Sequence, residues 1–217
     1  MKIGVIQAST RTSINDLLFQ SVQRAVKGQH DVVNLGVFPD ETETYSYVEV
    51  AVMISLLIET QSLDFVVTGC SSGQGMMMAC NSLPGLRCGF VQTPQDAYLF
   101  ERINDGNVVS LPLGLNFGWS GELNLQYTLD KLFDGEFGVG YPKEDAKRKR
   151  QENQLLVDLA ALTKRTFLEI MDDLDPKLLH KILNRERFYS YMMANGSQSS
   201  LLEKLSKIKL TEVSSNK

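Results

Sequence analysis

Histidine and cysteine are scarce in this 217-residue chain, which has two histidines, His30 and His180, and three cysteines, Cys70, Cys80 and Cys88. The cysteines show no CxxC pairing, and two histidines add little to a metal-ligand set. A reduced, metal-free protein is therefore expected. Positive charge is not in excess: 22 Lys and Arg stand against 26 Asp and Glu, for a net charge of -4. That balance argues against a nucleic-acid-binding surface over the whole protein. No apolar run approaches the roughly 20 residues that a membrane span requires. The opening Met1-Lys2-Ile3-Gly4-Val5-Ile6 reads as a strand, not a secretory signal. The expectation is a cytoplasmic protein with a small-molecule ligand and no membrane or nucleic-acid partner.

What the chain does have is a core. Its 43% hydrophobic and 22% charged content suits one globular domain with an extension. Strand-like apolar runs occur at Lys2 to Ile6, Val32 to Leu35, Asp64 to Thr68, Arg87 to Val91 and Asn107 to Leu111, with helical patterns between them. That alternation predicts an α/β fold, a Rossmann-like three-layer sandwich with a parallel five-stranded sheet. Ser13 with Asp16 and Ser46 with Glu49 have capping-box spacing, and Thr93-Pro94 and Asp175-Pro176 place a cap before a first-turn proline. Ser120 opens a helix with Leu125, Leu129, Leu132 and Phe133 on one face. The glycine-rich Gly135 to Pro142 closes the alternating region.

A domain over residues 1–142 and a helical C-terminal extension over residues 143–217 follow from this pattern. In the extension, Leu155, Leu156, Leu159, Leu162, Phe167 and Ile170 have core-facing spacing, and apolar stripes of this kind need a partner. The helices after Tyr141 are expected to cover or extend a subunit interface. Thr211 to Lys217 is expected to fray.

Chemistry concentrates where the strand ending at Thr68 runs into Gly69-Cys70-Ser71-Ser72-Gly73-Gln74-Gly75 and then into a helix at Met76 to Asn81. Ligands of open parallel sheets bind at the carboxyl ends of strands. Glycine lets backbone approach a ligand, and amides at a helix N-terminus favour an anion or a developing enediolate oxygen. A thiol in such a place is a candidate base or nucleophile, although burial as a small apolar side chain is the plain alternative for Cys70. Cys80 and Cys88 read as core. The loop is neither GxGxxG nor a Walker motif, so nucleotide binding is not supported. Lys147-Arg148-Lys149-Arg150 reads either as a solvated helix face or as an anion site.

Four blocks raise the specificity: the glycine loop itself, Ala79-Cys80-Asn81, Pro84-Gly85-Leu86-Arg87 and Asn104-Asp105-Gly106-Asn107-Val108. In register and without a gap, they resemble the family of ribose-5-phosphate isomerase B and galactose-6-phosphate isomerase. The likeness extends over roughly residues 1–150. It implies a cofactor-independent aldose-ketose isomerase of carbohydrate metabolism, working as a homodimer or dimer of dimers with the site at the subunit boundary. By the same likeness Cys70 is the proton-transfer base and Ser72 the hydroxyl that aids ring opening. The backbone around Ser71, Gly73, Gln74 and Gly75 cradles the enediolate oxygen, and Asn104 reaches into the partner's site.

Three departures from the family bear on substrate. Ala8 and Ser9 stand where an Asp-His pair is usual, Ile103 replaces the ring-opening histidine, and Tyr141 replaces a phosphate-binding arginine. Ser9 and Tyr141 are then candidate substrate contacts, and Arg148 or Arg150 is the candidate replacement cation. The blocks Thr68-Gly69-Cys70, Asp96-Ala97-Tyr98-Leu99-Phe100 and Phe117-Gly118-Trp119 resemble a longer branch that includes ketol-isomerases acting on 4-deoxy-L-threo-5-hexosulose-uronate. The substrate expected from the likeness is such an open-chain uronate or, next, a pentose or hexose phosphate. The alternative is a non-catalytic sugar-binding or regulatory protein on the same fold.

Overall fold

The computed structural model describes the backbone of residues 1–215 and the side chains of residues 1–210; the fraying expected over residues 211–217 lies outside the described side chains. Five strands, β1 (Lys2–Val5), β2 (Asp31–Asn34), β3 (Phe65–Cys70), β4 (Cys88–Phe90) and β5 (Val108–Pro112), form one sheet in the order β2-β1-β3-β5-β4. Every pairing is parallel, as the alternation of strand and helix requires. The two-residue period of each strand divides its side chains between two cores. Phe65 and Val67 of β3 face a core with Ile3, Val5, Val109 and Leu111, while Val66 and Cys70 face the other with Ile6 and Val108.

Helices α1 (Asn15–Val26), α4 (Pro94–Leu99) and α5 (Gly121–Leu132) cover the first face. Helices α2 (Tyr47–Glu59) and α3 (Gln74–Asn81) cover the second. The capping boxes expected at Ser46 and Glu49 and at Thr93 with its first-turn proline are formed, the latter closed by Asp96. Asp175 likewise caps the helix that begins at Pro176, through the Lys177 amide. Ser13 caps nothing: a 3-10 segment, Ser9–Ile14, runs straight into α1, whose N-terminal residue Ile14 offers no side-chain bond. Its polar spacing matches a box, but the preceding backbone is already helical and leaves no extended residue to cap.

The extension divides into two parts. Helices α7 (Phe167–Ile170), α8 (Pro176–Leu183), α9 (Glu186–Asn195) and α10 (Ser199–Ser215) lie on the α2 face. Phe167, Ile182, Leu183, Phe188, Met192 and Leu205 are fully buried there, in one core with Val50, Met53, Ile54 and Leu57. Their partner is this chain itself, not another subunit. Helix α6 (Ala146–Thr163) buries no residue. Leu155, Leu156, Leu159 and Leu162, expected to face a core, are all exposed, because this chain offers α6 polar carbonyl contacts at Ile103, Leu83 and Leu86 and no apolar surface that buries them. Among the described residues no helix is long and apolar enough to cross a membrane.

Candidate active site

The order of the sheet puts β2 on one side of β1 and β3 on the other, so the connections after β1 and β3 leave in different directions and open a crevice between them. Cys70 stands at that crevice as the last residue of β3, 8% exposed, with its carbonyl accepting from the Leu113 amide. Gly73 follows with φ +76° and serves as the N-cap of α3. A Cβ there would lie 2.7 Å from the Phe90 ring, and one on Gly69 would lie 2.4 Å from the Leu111 carbonyl oxygen. The glycines are therefore fixed by packing as well as by φ. The Ser110 hydroxyl donates to the Gly73 carbonyl at 2.7 Å and pins the turn from beneath. The first amides of α3 have no intrahelical acceptor and are available to an anion.

From the β1 side comes a residue not anticipated from the sequence. Arg11 lies at a break in the 3-10 segment (φ -132°, ψ 31°) and donates from Nε and Nη2 to Ser71 Oγ, at 3.0 and 2.9 Å. Gly114 makes room for this: its amide donates to the Ser71 carbonyl at 2.9 Å, and a Cβ would sit 2.7 Å from Arg11 Nη2. A guanidinium thus bonds the residue that directly follows Cys70, in the loop that leads to the N-terminus of α3. The available signal for Arg11 was its place in the first βα turn of a parallel sheet. Tyr47 also escaped notice; its ring lies 3.3 Å from where a Gly75 Cβ would be.

The other expected residues divide between the two ends of the sheet. Ser71 is half-buried, while Ser72 and Gln74 are exposed in the same loop as Gly73 and Gly75. Ser9 is beside them but is engaged in structure: its hydroxyl accepts from the Tyr45 amide at 2.6 Å and its amide donates to the Tyr45 carbonyl at 3.0 Å. Asn104 lies elsewhere. It ends a π-helical turn, Phe100–Asn104, after α4 has run back toward the amino ends of the strands. There it borders a cavity of about 640 Å³ with Arg87, Asp96, Leu159 and Lys164. Tyr141 stacks edge-on against Tyr98 at 5.4 Å in the same region. Arg148 is exposed and shared between Asp145, at 3.1 Å, and Glu152, at 2.6 Å. Arg150 donates to the Val139 carbonyl at 2.7 Å.

Cys80 and Cys88 are buried in the α3 core, and the hydrogen bond with the adjacent Cys80 thiol, together with burial, pushes the Cys88 thiol far up. Glu101, fully buried in the π-helical turn, is pushed up to about 7 by burial, against the favourable charge of Arg102. Among the described residues no group of three or more His, Cys, Asp or Glu side chains converges as a metal set would.

Residues 3–122 match the ribose/galactose isomerase family. The chain belongs to that family. As a member it is a sugar isomerase, which sets aside the reading of a binding protein without chemistry. A 4-deoxy-L-threo-5-hexosulose-uronate ketol-isomerase, solved with a tartrate, is 35% identical over 96% of this chain and 99% of its own, with a TM-score of 0.91. A ribose-5-phosphate isomerase from Vibrio parahaemolyticus is 32% identical over 96% of this chain and 99% of its own, with a TM-score of 0.90. The type B ribose 5-phosphate isomerase of Trypanosoma cruzi, at 19% identity over 73% of this chain and 99% of its own, shares the fold with a TM-score of 0.58. A search of curated proteins gives no match.

Proposed function

We propose that this family member interconverts an aldose and a ketose through an enediolate, with Cys70 as the base and an open-chain sugar acid as substrate. The observation that carries the reading is the Arg11-Ser71 pair placed directly after Cys70, in the loop that opens α3. The thiolate takes the proton from the carbon beside the carbonyl. The electron pair moves into a carbon-carbon double bond as the carbonyl oxygen becomes anionic; the hydroxyl on the adjacent carbon passes its proton to that oxygen, and the thiol returns the carbon-bound proton to the former carbonyl carbon as the second oxygen becomes the new carbonyl. Amides of residues Ser71 to Gly75 face that oxygen without having to reorganise. Ser72, exposed in the loop, is the hydroxyl that handles substrate oxygens.

Arg11 supplies the cation that Tyr141 does not. A guanidinium binds a carboxylate through two parallel hydrogen bonds, so Arg11 holds the acid end of a uronate while Ser71 releases one of its two bonds. Ile103 has no proton to transfer, which fits a substrate that is already open. The uronate named for the 35% identical isomerase is the first substrate to try, ahead of ribose and galactose phosphates.

The site is completed by a second copy of the chain. Asn104 lies by the amino ends of the strands and Cys70 at the carboxyl end of the six-residue β3, a span of about 20 Å. One chain cannot bring both to a single substrate. Tyr141 and Arg148, also at the amino end, enter a site by the same route, and the exposed leucines of α6 gain cover in the pairing.

Cys70→Ala is expected to keep the fold and to lower the exchange of substrate carbon-bound hydrogen with solvent by at least about 10²-fold. Following deuterium incorporation by NMR with the uronate and the two sugar phosphates measures this and ranks the substrates. Undiminished exchange by the variant would remove Cys70 from its role.

A further inference from the structure

The C-terminal extension is connected to the active site by an unbroken series of polar contacts. Arg185, between α8 and α9, has a side chain only 4% exposed. It donates from Nε and Nη2 to the two carboxylate oxygens of Glu41, at 2.8 and 2.6 Å, and from Nη2 to the Leu35 carbonyl at 2.6 Å. Its guanidinium also lies 5.1 Å from the centre of the Tyr45 ring. Lys181, one turn earlier, reaches the Thr44 carbonyl at 2.7 Å and packs over the same ring. The segment from Leu35 to Tyr45 is thus gripped along its length by two cations from the extension.

That segment in turn holds the connection after β1. Tyr45 exchanges two hydrogen bonds with Ser9. The Gln7 amide donates to the Gly36 carbonyl and the Gln7 side chain to the Val37 carbonyl, at 2.9 and 2.7 Å. The Arg11 amide donates to the Ala8 carbonyl, and the Arg11 guanidinium then meets Ser71. Burying a cation is costly unless it is paired with good geometry, and here the paired guanidinium holds residues 35–45, which in turn bond the connection that carries Arg11.

We propose that Arg185 is a positioning residue for Arg11: the extension sets the anion clamp through Glu41, Tyr45 and Ser9. This rests on the reading of Arg11 as the group that holds the substrate's carboxylate. Glu41 belongs to the same device. Burial pushes its carboxyl up, but the hydrogen bonds from Arg185 and the Phe38 amide, together with the charges of Arg185 and Arg187, outweigh that and hold it below the usual range, so the Arg185-Glu41 pair stays charged through neutral pH.

The test is a double-mutant cycle on the full-length protein with the uronate, together with a measurement that needs no ligand. Arg185→Gln is expected to raise KM about tenfold, the scale of one hydrogen bond to a charged group, with kcat within about twofold of the wild type. In an Arg11→Gln background the same substitution is expected to raise KM no further. Multiplying increments, or a fall in kcat without a change in KM, would overturn the proposal. If Arg11→Gln alone leaves KM unchanged, the carboxylate clamp fails as a reading of Arg11. Positioning is then decided by the Arg11 Nε-H resonance in the free protein, assigned by its loss in Arg11→Lys. That proton is expected to exchange slowly in the wild type and at the rate of a free guanidinium in Arg185→Gln; slow exchange in both refutes the link. Glu41→Gln, which keeps the shape and one acceptor, repeats both measurements should Arg185→Gln fail to fold.

Discussion

Helix α6 and the helices after it have much the same apolar spacing in the sequence and opposite fates in the structure. From Phe167 to Leu205 the large side chains go into the α2 core, where Phe167, Leu183, Phe188 and Met192 are fully buried. In α6 none is buried, and Leu162 is 83% exposed. The difference is in what lies opposite. Helix α2 is almost wholly apolar from Val50 to Leu57 and is buried along that length, so it offers a second apolar side to whatever packs on it. Helix α6 faces the β4 edge and the π-helical turn, and it is tied there by polar contacts, Asn153 to the Ile103 carbonyl and Lys164 to the Leu83 and Leu86 carbonyls. Periodicity identifies a face that needs covering; only the opposing surface decides whether the same chain covers it.

The largest expected effect comes from breaking the buried side. Phe188→Ala removes a fully buried ring from the core shared by α9 and α2 and should cost about 3–5 kcal/mol. Because that core joins the extension to the sheet, urea unfolding should remain one transition with a lower midpoint. Two separated transitions would mean that residues 143–217 fold apart from residues 1–142, and that the contrast lies between domains and not between helix faces.

A smaller effect sharpens the α6 side by asking what its support is made of. The π-helical turn against which α6 leans contains Glu101, whose carboxylate contacts Arg102 Nε at 3.1 Å without hydrogen-bond geometry. Asp134 is a further unfavourable charge nearby. The folded value of about 7 lies above the reference 4.5, so the fold prefers the neutral acid. The stability this provides is complete below pH 4.5 and is lost as pH rises through 7. Glu101→Gln should therefore be more stable than the wild type at pH 8, by about 1–3 kcal/mol, and nearly equal to it at pH 4. Urea midpoints at the two values measure it. A wild type that outlasts the variant at pH 8 would show that Arg102 more than offsets the burial.

The fold was largely legible because its signals are local. Alternating apolar runs and the caps at Ser46, Thr93 and Asp175 are decided within a few residues. The place of Cys70 at a strand end was legible for the same reason: strand, glycine turn and helix are contiguous around it. Arg11 was not, since its role depends on the β1-β3 pairing and on Gly114, which lies 103 residues later in the chain and leaves room for its guanidinium. Tyr141 stands where the family has an anion-binding arginine and Arg148 was a candidate to replace that cation, yet within one chain both stand at the opposite end of the strands from Cys70. Ser13 had the right spacing and the wrong backbone. Sequence spacing carries what neighbours along the chain decide; which side chains meet across a crevice depends on sheet order.

The smallest effect on folding is expected where the contrast is sharpest. Leu162→Ser replaces a side chain that already lies in water, so the stability of the single chain should change by less than about 0.5 kcal/mol. The dimer proposed above predicts more for assembly than for folding, because a serine there would place a polar group in an apolar contact. The two quantities separate in one preparation: urea midpoints at low protein concentration for the fold, and sedimentation over a concentration series for the dimer. A weakened dimer with an unchanged midpoint assigns the α6 leucines to a second copy. An unchanged dimer would leave α6 outside the pairing and move the search for Asn104's partner surface to the remaining exposed stripe, Trp119, Leu123 and Tyr127 at the start of α5. Four-residue spacing puts Leu123 and Tyr127 on one side of that helix, and Trp119 precedes its N-cap Ser120, close to the carboxyl ends of the strands where Cys70 lies.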